Sequence, residues 1–201
     1  MERKVLDNGY VVLINMMGDD FTPALVAGIS FNRHELRTPE QEERLIRHLL
    51  ANQHDSVFEH IVFTFKVKAP LFVARQWMRH RIGSFNEVSL RYTKAKPEFY
   101  VPEADEQLRA KLLEGYMHAY NTYLELTESG MKKEQARTVL PLGLYTTFFW
   151  TVNLRSLFNF LELRTSEHAQ YEMREYALAV RSIVCEKLPV ICRHKFVEVE
   201  K

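Results

Sequence analysis

The sequence has 201 residues, 46% hydrophobic and 26% charged, with a formal net charge of +1. That length suits one domain with one sizeable core, and so even a charge balance excludes the marked basic excess of a general nucleic-acid binder. No apolar run approaches the ~20 residues that span a bilayer, and the two cysteines, Cys185 and Cys192, make no disulfide framework. A reducing cytoplasm is expected, with neither a membrane nor a nucleic acid as partner.

The N-terminus, MERKVLDNGYVVLI, has early basic residues and then an apolar run interrupted by Asp7 and Asn8, with no small-residue cleavage site. It does not read as a signal peptide. Lys4–Met16 reads as a strand pair or a turn feeding a strand, because Asp7-Asn8-Gly9 is turn chemistry and YVVLI is rich in β-formers. Thr22-Pro23 predicts a helix start with Thr22 as N-cap and Pro23 at the first helical position. Thr38-Pro39 repeats the device, opening a helix to about Asn52 with Leu45, Ile46, Leu49 and Leu50 inward. Ile61, Phe63, Phe65 and Val67 alternate with more polar neighbours, which predicts a half-buried strand. Pro70 then opens a helix through roughly His80.

A long amphipathic helix is expected over Asp105–Ser129, ended by Gly130. Lys132–Leu140 reads as a short helix stopped by Pro141, and Leu144–Val152 as a strand, with Asn153 capping the helix after it. Ser166 is expected to cap a last helix to about Leu188, leaving a tail after Pro189. Helices mixed with a few strands, without regular βαβ alternation, predict an α+β fold. The aromatic runs Phe148-Phe149-Trp150 and Phe158/Phe160, and Tyr116, Tyr120 and Tyr123 at helical spacing, are expected to pack in a core or interface.

The chemistry concentrates in Arg79–Tyr92, RHRIGSFNEVSLRY. It carries three arginines, a histidine, an asparagine, a glutamate and two serines, and Arg75 lies four residues upstream. There is no lysine from Pro70 through Tyr92. A solvated face would mix the two bases; arginine alone suggests the planar fork that grips phosphates and carboxylates with paired hydrogen bonds. Glycine totals seven residues, with neither GxGxxG nor GxxxxGK[ST], so phosphates must be held by side chains. Gln76, Ser84, Asn86 and Ser89 can read an amide-bearing ring. The competing reading of the composition is a helix end followed by an exposed charged loop. His54 and His60 flank Glu59 at a spacing that is neither HExxH nor a zinc signature, so no metal is expected. Neither cysteine has an evident activating partner in sequence, although His194 is near Cys192, and both are expected to be inert.

RHRIGSFNEVSLRY fits RHRxxSxNExSxRY at all nine fixed positions of fourteen, and in this it resembles the flavin-dependent thymidylate synthases. The likeness extends through HDSVFEHIVFTFKVKAP, FVARQW, ARTVLPLGLYTTFFWTVNLRSLFNFLELR and HAQYEMREYAL. The resemblance implies a mainly antiparallel sheet packed with helices, assembled as a homotetramer with shared active sites. It also implies conversion of dUMP to dTMP, with methylenetetrahydrofolate as one-carbon donor and reducing equivalents from NADPH through FAD. Carried over by position, Arg79, His80 and Arg81 would meet FAD together with Ser56, Glu87, Asn153, Arg155 and Asn159. Glu59 would be a flavin contact or a local structural partner. The nucleotide would lie against Gln76, Trp77, Met78, Arg79, Arg91, Arg137 and Arg164, with Glu87, Val88, Ser89 and Leu90 adding main-chain contacts.

Arg164 carries the most specific implication. A fixed positive charge beside the uracil ring favours its N3-ionised form, raising electron density at C5 without a protein nucleophile. The competing role is a cation at a helix C-terminus, for the helix ending LFNFLELR. His54 would gate access to the flavin. Two departures stand out: Gly28 in AGIS occupies the place of an arginine in the ARVS of many relatives, and Ser56 stands where some relatives have threonine, keeping the hydroxyl. The alternative to an enzyme is a nucleic-acid or nucleotide-binding module of the same fold without turnover.

Overall fold

A computed structural model describes residues 1–30 and 38–196. Five strands form one antiparallel sheet in the order β1-β2-β3-β5-β4. β1 (Glu2–Val5) and β2 (Gly9–Met17) make the expected hairpin, with Leu6 at φ 55° in its turn. β3 (Val62–Pro70) and β5 (Tyr145–Asn153) are the central pair. Both obey period two. Phe63, Phe65 and Val67 on β3, with Phe148, Trp150 and Val152 on β5, point into the core, while Phe149 on the opposite face is 42% exposed. Phe65 stands across from Trp150 in the register, their rings stacked with centroids 5.7 Å apart.

The helices are α1 (Thr22–Ile29), α2 (Pro39–Ala51), α3 (Leu71–Trp77), α4 (Glu106–Glu128), α5 (Lys133–Ala136), α6 (Leu154–Arg164), α7 (Tyr171–Lys187) and α8 (Pro189–Lys195). Helices α3 and α7 lie on the buried face of the sheet, and α6 packs on α7. Three starts follow the sequence closely. Thr38 caps α2 in a full capping box with Gln41, Asp105 caps α4, and Asn153 caps α6 by accepting from the Ser156 N–H at 2.9 Å.

Other local expectations are corrected. Thr22 is the first residue of α1 rather than its N-cap, because Asp19 Oδ1 accepts from the N–H groups of Phe21 and Thr22. Ser166 makes a short turn, accepting from the His168 N–H at 3.3 Å, and α7 starts later, after Gln170. Beyond Pro189 the chain is helix α8, not a tail. The Asp20 carboxylate, 7% exposed, accepts from the N–H groups of Val190 and Ile191 and so completes its N-terminus. Asp55–His60 forms a 3₁₀ turn, and Ser84–Glu87 forms edge strand β4 within the arginine-rich stretch; the sequence predicted neither.

A second, smaller core lies apart from the main one. Tyr120 and Tyr123 of α4 pack with Ala95, Phe99, Ala136 and Leu144. Tyr120 donates to the Ala95 carbonyl and the Ala95 N–H donates to Tyr123, so α4 straps down the segment after β4. Cys185 and Cys192 meet between α7 and α8. A hydrogen bond with Cys192 lowers the Cys185 thiol, while the same bond and burial push Cys192 up.

Candidate active site

Three aromatic side chains from three elements fix the frame. Trp77, the last residue of α3, lies 5.2 Å from Trp150 of β5 and 4.9 Å from Phe160 of α6, measured between ring centroids, and all three are buried. This cluster holds the end of α3 beside Phe160 of α6. After Trp77 the chain turns tightly, with the Arg79 N–H donating to Gln76 and the His80 N–H to Trp77. Gly83 then passes so close to the sheet that a Cβ there would stand 2.9 Å from Trp150 Nε1 and 3.1 Å from the Thr151 carbonyl. Only glycine lets β4 reach its place beside β5.

Between these elements opens a cleft of about 990 Å³. Gln76, Arg79, His80, Arg81 and Ile82 line it from the end of α3, and Asp55 and Glu59 from the 3₁₀ turn. β5 and α6 add Trp150, Val152, Asn153, Arg155, Ser156, Phe158, Asn159, Glu162, Leu163 and Arg164, and α8 adds Lys195. Four arginines therefore converge on one concavity. Their partners differ. Arg155 is paired to Glu59 at 2.5 Å and to Asp55 at 3.9 Å. Arg79 and Arg81 have no carboxylate within ion-pair distance among the described residues. Unneutralised guanidinium groups in a concave site are an anion-binding arrangement.

Arg164 Nε donates to His80 Nε2 at 3.0 Å. The contact needs a neutral imidazole, and burial, helped by the Arg164 charge, pulls His80 down to about 4. The imidazole edge also rests on Phe160 at 5.0 Å. Arg164 is thus steered by a neutral acceptor and has no carboxylate partner among the described residues, so its charge is not neutralised at the cleft. Asn153 is half committed. Its Oδ1 caps α6, which leaves Nδ2 as the donor for a ligand.

Most residues singled out in the sequence meet here: Glu59, Gln76, Arg79, His80, Arg81, Asn153, Arg155, Asn159 and Arg164 all line the cleft. Ser56 sits on the same 3₁₀ turn as Glu59 without lining it, and His54 precedes that turn, its ring edge-on to His48 at 5.9 Å. Trp77 belongs to the core, so only its main chain is open to a ligand, and Met78 is the helix end beside it. Glu87 on β4 accepts from Thr146 Oγ1 at 2.6 Å. Val88, Ser89, Leu90 and Arg91 continue toward α5, where Arg91 pairs with Glu134 at 2.8 Å and exposed Arg137 ends the helix. None of these last five lines the cleft. The arginines therefore fall into two groups within one chain.

Residues the sequence did not assign to a site also line the cleft, chiefly Glu162, Lys195 and Trp150, the last expected only in a core or interface. Lys195 Nζ stands 5.1 Å over the Phe158 ring and owes its position to α8. The Pro189 that seemed to end order in fact opens this helix, a signal readable as proline at a first helical position. Gly28, buried in α1, brings no side chain to the site.

Comparison with known proteins accords with this geometry. The family model described as thymidylate synthase complementing protein matches residues 12–190. The chain is 51% identical to a flavin-dependent thymidylate synthase of Thermotoga neapolitana, over 94% of this chain and 91% of that one. It is 49% identical to the protein of the same name in Thermosipho africanus, with the same coverage. Among solved structures it is similar to PolB, a UMP/dUMP methylase of Streptomyces cacaoi bound with 5-Br dUMP, at a TM-score of 0.89 and 30% identity over 96% of each chain. Nearly its whole length is accounted for by these likenesses: the chain belongs to the flavin-dependent thymidylate synthases, the thymidylate synthase complementing protein family.

Proposed function

We propose that the protein makes dTMP from dUMP, with methylenetetrahydrofolate giving the one-carbon unit and NADPH the reducing equivalents. The observation that carries the reading is the cleft, where guanidinium groups without carboxylate partners stand beside side-chain amides and a neutral histidine. That donor set fits FAD, whose pyrophosphate needs cations and whose ring needs amide-type partners. Arg79, His80, Arg81, Asn153, Arg155 and Asn159 would hold it, with Ser56, Glu59 and Glu87 at the margins. When bound, FAD supplies the redox chemistry that the side chains lack. Gln76, Arg79 and Arg164 would take the nucleotide. Arg164, steered by His80, would stabilise the ring ionised at N3 and so activate C5 without a thiol. The two cysteines, Cys185 on α7 and Cys192 on α8, do not line the cleft.

Ser89, Arg91 and Arg137 belong to the nucleotide site by resemblance, yet they do not line the cleft of their own chain. We infer that another subunit supplies them, which a homotetramer with shared sites would do. His54, at the start of the 3₁₀ turn that carries Asp55 and Glu59, would govern access to the flavin. The test is direct: the purified protein, loaded with FAD, is given dUMP, methylenetetrahydrofolate and NADPH. Formation of dTMP that depends on all three supports the reading; NADPH oxidation without dTMP sinks it. A binding module without turnover would bind the nucleotide and form nothing.

A further inference from the structure

A line of hydrogen bonds leads out of the cleft. Gln76 Nε2 donates to Gln170 Oε1 at 2.5 Å, Gln170 Nε2 donates to Glu172 Oε2 at 2.9 Å, and Tyr100 Oη donates to Glu172 Oε1 at 3.1 Å. Its inner end is buried, with Tyr100 5% and Glu172 9% exposed, whereas Gln170 is exposed. The polarity of every link follows from that end. Burial, and then the Glu172 carboxylate, push Tyr100 up, so its hydroxyl keeps its proton and donates. The other carboxylate oxygen can only accept, so Gln170 must turn its NH₂ inward and its carbonyl toward Gln76. Gln76 must answer with an N–H. Turning over either amide would set two donors or two acceptors against each other. A glutamine at the rim of a cleft would otherwise sample both orientations and lose that freedom on binding.

We propose that Glu172, acting through Gln170, is a positioning residue that locks the amide of Gln76 and keeps its carbonyl oxygen as the acceptor offered to a hydrogen-bond donor of the nucleotide. This rests on the nucleotide reading above. It assigns a task to the buried carboxylate of HAQYE, which lies outside the cleft.

The test compares FAD-loaded wild type with Gln76→Ala, Glu172→Gln, Gln170→Ala and the double variant Gln76→Ala/Glu172→Gln, titrated with dUMP by calorimetry. Each single variant is expected to weaken dUMP about tenfold, the worth of one hydrogen bond. Turnover at saturating dUMP should stay within about twofold in Glu172→Gln and Gln170→Ala, which lie outside the cleft, so that KM moves and kcat does not. The double variant should bind no more weakly than Gln76→Ala alone. Additive losses of about a hundredfold, or wild-type affinity in Glu172→Gln, would overturn the relay. Should Glu172→Gln fail to fold, exposed Gln170→Ala carries the same comparison. A second measurement needs no nucleotide. The side-chain amide signals of Gln76, identified by their loss in Gln76→Ala, should shift and exchange faster in Glu172→Gln. Unchanged signals refute the relay; shifted signals in a protein with no dUMP affinity count against the nucleotide reading alone.

Discussion

Replacing Arg164 by alanine separates a catalytic arginine from a helix-end cation. Structurally the change removes one hydrogen bond, Nε to His80 at 3.0 Å, worth about 1 kcal/mol. It also removes a basic residue from the last turn of α6, worth about 0.3–1 kcal/mol. The sum is about 1–2 kcal/mol, or a Tm lowered by roughly 2–8 °C for a chain of this size. Relief of the charge that helps hold His80 neutral works the other way and keeps the loss toward the lower figure. If Arg164 stabilises the ionised uracil, turnover should fall by about 10²–10³, as when a preorganised charge donor is lost. Initial rates of dTMP formation at saturating substrates, beside a calorimetric scan of the FAD-loaded protein, read both quantities. A turnover loss under tenfold, or a Tm loss large enough to explain the activity by unfolding, would return Arg164 to the role of a cap.

Other consequences can be checked alongside it. Gly83→Ala must push a Cβ against Trp150 and the Thr151 carbonyl; such overpacking costs about 1–3 kcal/mol, so Tm and flavin content should drop together, and an unchanged Tm would mean that β4 sits elsewhere. His80 is held neutral down to about 4, so between pH 6.5 and 4 the unfolded chain binds a proton that the folded one refuses. Stability present above pH 6.5 is lost as pH falls through that window; His80→Gln should flatten this part of the pH–Tm curve, and an unaltered slope would contradict the assignment. The Cys185→Ser/Cys192→Ser variant should keep kcat within about twofold when folded, since uracil activation by charge requires no thiol; a folded but inactive variant would restore a nucleophilic cysteine.

How far the sequence led depended on what each segment does in the fold. β3 and β5 bury one face fully, so their alternation is plain, and α2 and α6 announce themselves by side-chain caps that the structure uses. β4 is a four-residue edge strand of Ser, Phe, Asn and Glu, mostly exposed, with no hydrophobic period to detect. Ser166 and Thr22 show the ambiguity of short hydroxyl side chains, which stabilise turns and helix starts by the same bond. α8 starts with a proline that reads equally as a helix stop, and the partner that completes its N-terminus, Asp20, is far away in sequence. The site was legible where residues cluster locally, as in Arg79–Arg81 and Asn153–Arg164. Lys195 and the Tyr100–Glu172–Gln170 line depend on contacts between distant elements, which no local pattern records.

If arginines in this cleft hold a flavin and a uracil nucleotide together, each ligand must report on the other. The most direct measurement titrates dUMP into the FAD-loaded protein while following the flavin absorbance. A saturable change in the flavin spectrum, abolished in Arg79→Ala, is the predicted result; a protein that takes up no FAD, or whose flavin is indifferent to dUMP, contradicts it.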